Sequence, residues 1–341
     1  MFSNLINEGK QSLMELSIMD RVARIFWLIG PFILLIERSP ADIWISILSL
    51  AFVCKVIRNR DYKWISNFWV GTAFAFWIVC LLSAAVSSDP LYAFGEAFIW
   101  IRFPLFVMAT VFWLGCDKRL LYLMLLSTAM GFLVMCGILA GEIIYNLSSE
   151  IIYKNDVWVP GNRLSWPYGD FVPGNYLTKL GLPVIVIASA IAVNRADKWA
   201  LLGGLFVVTG LLFVFLTAER VNTLIMLCAS LLACVAAFKN WRGLISLSLV
   251  IVLTVAVLIH FFPEVESRFL KHVIEQLPLN DQSVYYRAMF PGILAFEQNP
   301  IFGIGTANFR NLCPEVIETF NIFGLDLSVG LHNVPEVQLD C

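Results

Sequence analysis

Apolar and charged positions alternate along this chain in long blocks. Apolar runs bounded by charges occupy roughly 22–36, 41–57, 64–86, 97–115, 119–145, 175–194, 198–216, 220–238 and 242–262. About 20 apolar residues in a helix cross a bilayer core. In lipid, only helices and closed barrels satisfy every backbone N–H and C=O. The pattern predicts an all-α, polytopic integral membrane protein. About nine transmembrane helices fill residues 1–262, and a large extracytoplasmic region of short helices fills 263–341. The first run is short and interrupted by Gly30-Pro31, so its limits are the least sharply drawn. The residues before it carry Glu8, Lys10, Glu15 and Asp20, with no small-residue cleavage site after an apolar stretch. The first run therefore reads as a retained helix rather than a signal peptide.

Loop charge assigns the sides. Cations gather after the second, fourth, sixth and eighth runs: Lys55, Arg58, Arg60 and Lys63; Lys118 and Arg119; Arg195 and Lys198; Lys239 and Arg242. The loops between hold Glu37, Asp42, Asp89, Glu96, Glu142, Glu150, Asp156 and Asp170. By the positive-inside rule the N-terminus is cytoplasmic, and everything after about Pro263 lies outside. Composition agrees. The chain is 59% hydrophobic and 14% charged, whereas soluble domains carry nearer a quarter charged residues. A net charge of −2 offers no basic field for nucleic acid.

Two outward regions are large. Residues 146–174 are rich in proline, glycine and aromatics, and Trp158, Trp166 and Tyr168 suit the headgroup layer. In the second region, 264–276 reads as a short amphipathic helix. Asn280 or Asp281 can cap a second helix over 282–298, kinked at Pro291-Gly292 and closed by Asn299-Pro300. Gly303 and Gly305 permit the tight turn that follows. They are not a dinucleotide fingerprint, because Asn308 stands at the third glycine position and no strand precedes them.

The candidate chemistry is cationic. Arg220 follows Glu219 at the outer mouth of the eighth run, Arg287 lies on the second loop helix, and Arg163 sits in the 146–174 loop. Arg102 lies about a turn and a half inside the fourth run, and Lys179 about one turn inside the sixth. An arginine fork matches phosphate oxygens, so several in one outward cleft would clamp a pyrophosphate. Each has a plainer alternative. Arg220 can anchor at the interface beside Glu219, Arg287 can be a solvated helix-face residue, and Arg163 can stabilise its loop. Arg102 can pair with Glu96 or snorkel, and Lys179 can snorkel. His332 is suited to general-base work, or is a polar loop residue. No HExxH, paired CxxC or DxD-type cluster suggests a metal. Cys54, Cys80, Cys116, Cys136, Cys228 and Cys234 fall in or beside membrane runs and read as small packing residues. Cys313 and Cys341 share the outward region, and a disulfide between them is expected.

The chain resembles the O-antigen ligase and O-antigen polymerase superfamily of bacterial inner-membrane glycosyltransferases, which includes protein O-oligosaccharyltransferases. The resemblance rests on Ser88-Asp89-Pro90 with the following AFGEAFIWIRFPLF; on Asn162-Arg163-Leu164-Ser165 followed by Gly174-Asn175-Tyr176-Leu177; on Thr217-Ala218-Glu219-Arg220; and on Arg287 with Asn299-Pro300-Ile301-Phe302-Gly303-Ile304-Gly305 and Asn308-Phe309. It implies transfer of a glycan from an undecaprenyl-pyrophosphate carrier to an acceptor hydroxyl on the periplasmic face of the inner membrane, without cofactor or metal. Lipid A–core is the first acceptor it suggests; a growing glycan or a protein hydroxyl are the others. Arg220 and Arg287 would bind pyrophosphate, and a histidine near the end of the long loop would handle the acceptor hydroxyl. Arg163, Arg102 and Lys179 are the further substrate-binding candidates. Two features depart from the family. Trp166 and Pro167 replace small residues, and Leu331-His332-Asn333 is followed by Val334-Pro335-Glu336 rather than by an H-x-H-N segment opening a helix. Either His332 is the displaced counterpart, or the family histidine lies beyond Cys341 and this chain alone is an incomplete, inactive enzyme. A transporter or flippase of lipid-linked glycan is the non-enzymatic alternative. It predicts broken helices and charges at mid-membrane.

Overall fold

The structure is a computed structural model that describes residues 2–152, 164–169, 172–195, 197–217, 219–237, 245, 249, 253, 292–293, 295–297 and 299–309. Among these, all regular structure is helical. Six helices among the described residues are long and apolar enough to cross a membrane: Arg38–Asn59, Phe68–Ala85, Pro90–Leu114, Lys118–Asn146, Pro173–Asn194 and Lys198–Leu216. They coincide with the second to seventh apolar runs. The eighth run forms Arg220–Ala236, an apolar helix of 17 residues. The first run is a broken pair, α2 (Ile18–Leu28) and α3 (Gly30–Leu34), parted at Ile29 where Pro31 cannot donate to the preceding turn. The ninth run lies outside the described residues except for helical positions 245, 249 and 253. So does the 264–276 helix, whereas the expected 282–298 helix is helical at 292–293 and 295–297.

The other helices are α1 (Phe2–Met14), α4 (Arg38–Asn59), α5 (Phe68–Ala85), α6 (Pro90–Ile99), α7 (Arg102–Ala109), α8 (Lys118–Ile152), α9 (Pro173–Asn194), α10 (Lys198–Leu216) and α11 (Arg220–Ala236). The chain divides into two compact units, Met1–Trp44 with Leu114–Lys271 and Ile45–Trp113 with His272–Cys341.

In the first unit α9 packs against α8, α10 and α11. Lipid tails are as apolar as leucine, so close backbone approach and side-chain hydrogen bonds must hold these helices together. At Gly203 on α10, an added Cβ would sit 2.7 Å from the Ala188 carbonyl oxygen on α9. The buried hydroxyls of Ser189 and Ser230 join α9 to α11 at 2.8 Å. The helix α1 is one that the apolar blocks do not announce. Gly9 and Ser12 follow one another at helical spacing. Gly9 packs against Leu123 of α8, and the Ser12 hydroxyl donates to Asp117. That hydrogen bond, with the Arg119 N–H and the nearby Arg119 and Arg24 charges, holds the Asp117 carboxyl below its ordinary value.

In the second unit, α5 and α6 meet over buried Ala84, Ala93 and Ala97, and the Trp77 indole donates to the Ala97 carbonyl at 2.9 Å. Asp89 caps α6 by accepting the Tyr92 N–H at 3.2 Å, with Pro90 in the first turn. Between α6 and α7 the chain turns at Trp100-Ile101, and α7 passes into a π-turn over Thr110–Leu114.

Candidate functional site

In the first unit, sequence motifs far apart in the chain meet through two buried carboxylates. Glu142, 4% exposed, lies within α8 rather than in a loop. Its Oε1 accepts the Ser165 N–H at 2.9 Å and the Ser165 hydroxyl at 3.1 Å, and its Oε2 accepts the Trp166 N–H at 3.0 Å. A carboxylate in an apolar setting is costly unless donors surround it. Here the donors come from the segment just after Arg163. Tyr168 closes the same loop. Its hydroxyl donates to the Leu35 carbonyl at 2.8 Å, and its ring stacks on Tyr176 at 4.3 Å. Burial, with the neighbouring Tyr176, pushes the Tyr168 hydroxyl above the ordinary phenol range.

Glu219, 8% exposed, precedes α11. Its Oε1 accepts the Gly174 N–H at 3.0 Å, at the N-terminal turn of α9, where a negative charge is stabilised by the helix dipole. Its other oxygen accepts from Asn222, whose amide also reaches Asn175 Oδ1 at 2.9 Å. Gly174 is required there, because a Cβ would sit 2.6 Å from Thr217 Oγ1 and 2.8 Å from Glu219 Cδ. The Gly174-Asn175 and Thr217-to-Arg220 motifs therefore meet in one hydrogen-bonded knot around buried Glu219. Arg220, the first residue of α11, is held half-buried beside it. Lys179 is on the exposed face of α9, with its Nζ 5.3 Å from the centre of the Tyr176 ring.

The second unit brings the other two motifs together. Gly303 and Gly305 have φ of 68° and 92°, values that favour glycine. The turn they make seats Asn308, fully buried, against the loop before α6. Its Nδ2 donates to Ser88 Oγ and to the Ile304 carbonyl, each at 3.2 Å. A Cβ on Gly305 would come within 2.5 Å of Ser87 Cβ. The glycines build a turn that grips the 87–89 loop.

Arg102 stands differently from its expected place. The helical run starts at Pro90, well before the expected start at 97. Arg102 is thus at the midpoint of the 25 residues Pro90–Leu114, not a turn and a half from an end. It is half-buried, its guanidinium lies 5.0 Å from the centre of the Phe103 ring, and its carbonyl accepts from Ser49 at 2.8 Å.

No protein-family model, curated protein or solved structure matches the chain. Arg163, Arg287, His332, Cys313 and Cys341 lie outside the described residues. Glu142, Glu219 and Asn222 are the residues that the sequence does not single out as a network. Glu142 had a signal, as an acid within an apolar run. Asn222 had only its place in the first turn of α11.

Proposed function

We propose that this chain is a membrane glycosyltransferase of the O-antigen ligase kind, acting on the outer face of the bacterial inner membrane. Its donor would be a glycan on undecaprenyl pyrophosphate, and lipid A–core is the favoured acceptor. In this reading the chain has nine spans, a cytoplasmic N-terminus and a periplasmic 263–341 region. The observation that supports it is the pairwise closure of the motifs. Gly174-Asn175 is tied to Glu219 beside Arg220, and Asn308 is tied to Ser88.

The chemistry requires no metal. The acceptor hydroxyl oxygen attacks the anomeric carbon, and the bond from that carbon to the pyrophosphate oxygen breaks. The hydroxyl proton would pass to a histidine, with His332 as the candidate in this sequence, and lipid pyrophosphate leaves with inversion. Arg220 and Arg287 would neutralise the charge growing on the leaving group, and Arg163, Lys179 and Arg102 would line the donor's path. Exposed Trp166, packed against Tyr145 at 5.5 Å, adds a flat apolar face suited to a sugar ring.

A second reading, translocation of a lipid-linked solute, is favoured by specific observations. Arg102 is at mid-run, and two helical runs are broken, at Ile29 and at Trp100-Ile101. The test uses the encoded full-length protein in proteoliposomes carrying lipid-linked glycan and acceptor. Arg220→Ala and Arg287→Ala should each cut transfer by about a hundredfold or more with insertion intact. Arg102→Ala should leave transfer measurable. Transfer at wild-type level in both outer arginine variants overturns the enzyme reading. Movement of the lipid-linked glycan across the bilayer that only Arg102→Ala abolishes establishes the other.

A further inference from the structure

The structure of the first unit points to a binding site for one anionic phospholipid, which we propose beyond the glycan-transfer reading and independently of it. An apolar groove of about 390 Å³ runs between α8, α9 and α10. Tyr122, Leu126, Ala129 and Leu133 line it from α8, Ile187 from α9 and Phe206 from α10. From Tyr122 to Leu133 the groove follows α8 for ~16 Å at 1.5 Å per residue. That is about half of a ~30 Å hydrocarbon core, the depth of one leaflet.

The mouth of the groove identifies its occupant. The helix α8 starts, α9 ends and α10 starts at one end of the bundle, the end nearest the groove. Exposed Lys118, Arg119, Arg195 and Lys198 stand there, against the two carboxylates Asp117 and Asp197. Both acids have local work. Asp117 accepts from Ser12 and from the Arg119 N–H, while Asp197 caps α10 through the Trp199 N–H and lies 3.9 Å from Arg195. A cationic mouth over an apolar slot one leaflet deep fits a phosphate headgroup above a single acyl chain. A second copy of this chain fits poorly, because a twofold contact would bring like charges together.

The test uses the purified full chain in a nonionic detergent, with dioleoyl-phosphatidylglycerol or dioleoyl-phosphatidylcholine added and bound lipid read by native mass spectrometry. Wild type should retain the glycerol lipid at least about tenfold better than the choline lipid. The triple variant Lys118→Gln, Arg119→Gln, Lys198→Gln should retain the two equally, and Ala129→Trp, which fills the groove, should retain neither. The charge variant alters only exposed side chains, so it decides the matter even if Ala129→Trp does not fold. Equal retention by wild type, an undiminished preference in the charge variant, or a lipid-free dimer overturns the proposal. None of these readouts involves glycan transfer, so the two proposals fail separately.

Discussion

Two helices of this protein have the same mean hydropathy and opposite surroundings. Both α5 and α9 are long and apolar enough to cross a membrane, yet 11% of α5 is buried against 50% of α9. The difference is in the small and polar residues, not in the amount of oil. On α9, Gly174 lies against Thr217 and Glu219, Ala188 receives Gly203, and Ser189 meets Ser230. On α5, Gly71 faces nothing within 4 Å among the described residues, and the Thr72 hydroxyl turns back to the Phe68 carbonyl in its own helix. In lipid, hydropathy inserts a helix, and close approach decides which helices touch.

Three substitutions bear on this contrast, from the largest expected effect to the smallest, with Gly71→Leu as the control. Gly203→Leu should destabilise the first unit by about 3 kcal/mol, since the new side chain meets backbone at Ala188. Gly71→Leu should fall within about 0.5 kcal/mol of wild type. Thermal unfolding in detergent measures both, and equal effects would erase the distinction between the helices. Gly174→Ala should cost about 2 kcal/mol by pushing the Glu219 carboxylate off its N–H partner. If Gly174→Ala is neutral, the knot beside Arg220 is not rigid. Ser189→Ala should cost only about 0.6 kcal/mol, because a single interhelical hydrogen bond contributes little in a membrane.

The smallest effect is on pH. Asp117 titrates below its ordinary value of 3.8 in the folded protein. Its contribution is therefore present above that value and is lost as pH falls through the lower, folded one. Protection of the α1 amides, taken relative to their intrinsic exchange rate at each pH, should fall at the acid end of that window in wild type and stay constant there in Asp117→Asn.

The contrast also explains what could be read from the chain. Blocks of apolar residues locate six helices long enough to span, because insertion depends on composition within one segment. They misplace the start of the Pro90–Leu114 run, since Asp89-Pro90 caps a helix whose first turns carry Glu96 and small residues. They also pass over α1, whose apolar face is too narrow to form a block. The motif residues were visible, but their partners were not. Glu142 needed Ser165, Glu219 needed Gly174, and Asn308 needed Ser88, each pair closing a long stretch of chain. No period along a sequence carries such distances. The Gly303 and Gly305 turn was legible because it is local.

The break between α2 and α3 has a consequence for synthesis. Around it, the carbonyls of Phe26, Leu28 and Leu35 accept from Trp44, Ser127 and Tyr168, at 2.8, 2.6 and 2.8 Å. Those donors are 18, 99 and 133 residues further along the chain. At ~5–20 residues per second, a ribosome delivers the last of them on the order of ten seconds after the first. Until then the opening segment must borrow water, lipid headgroups or the insertion machinery for those bonds. The broken helix pair is therefore made first and finished late.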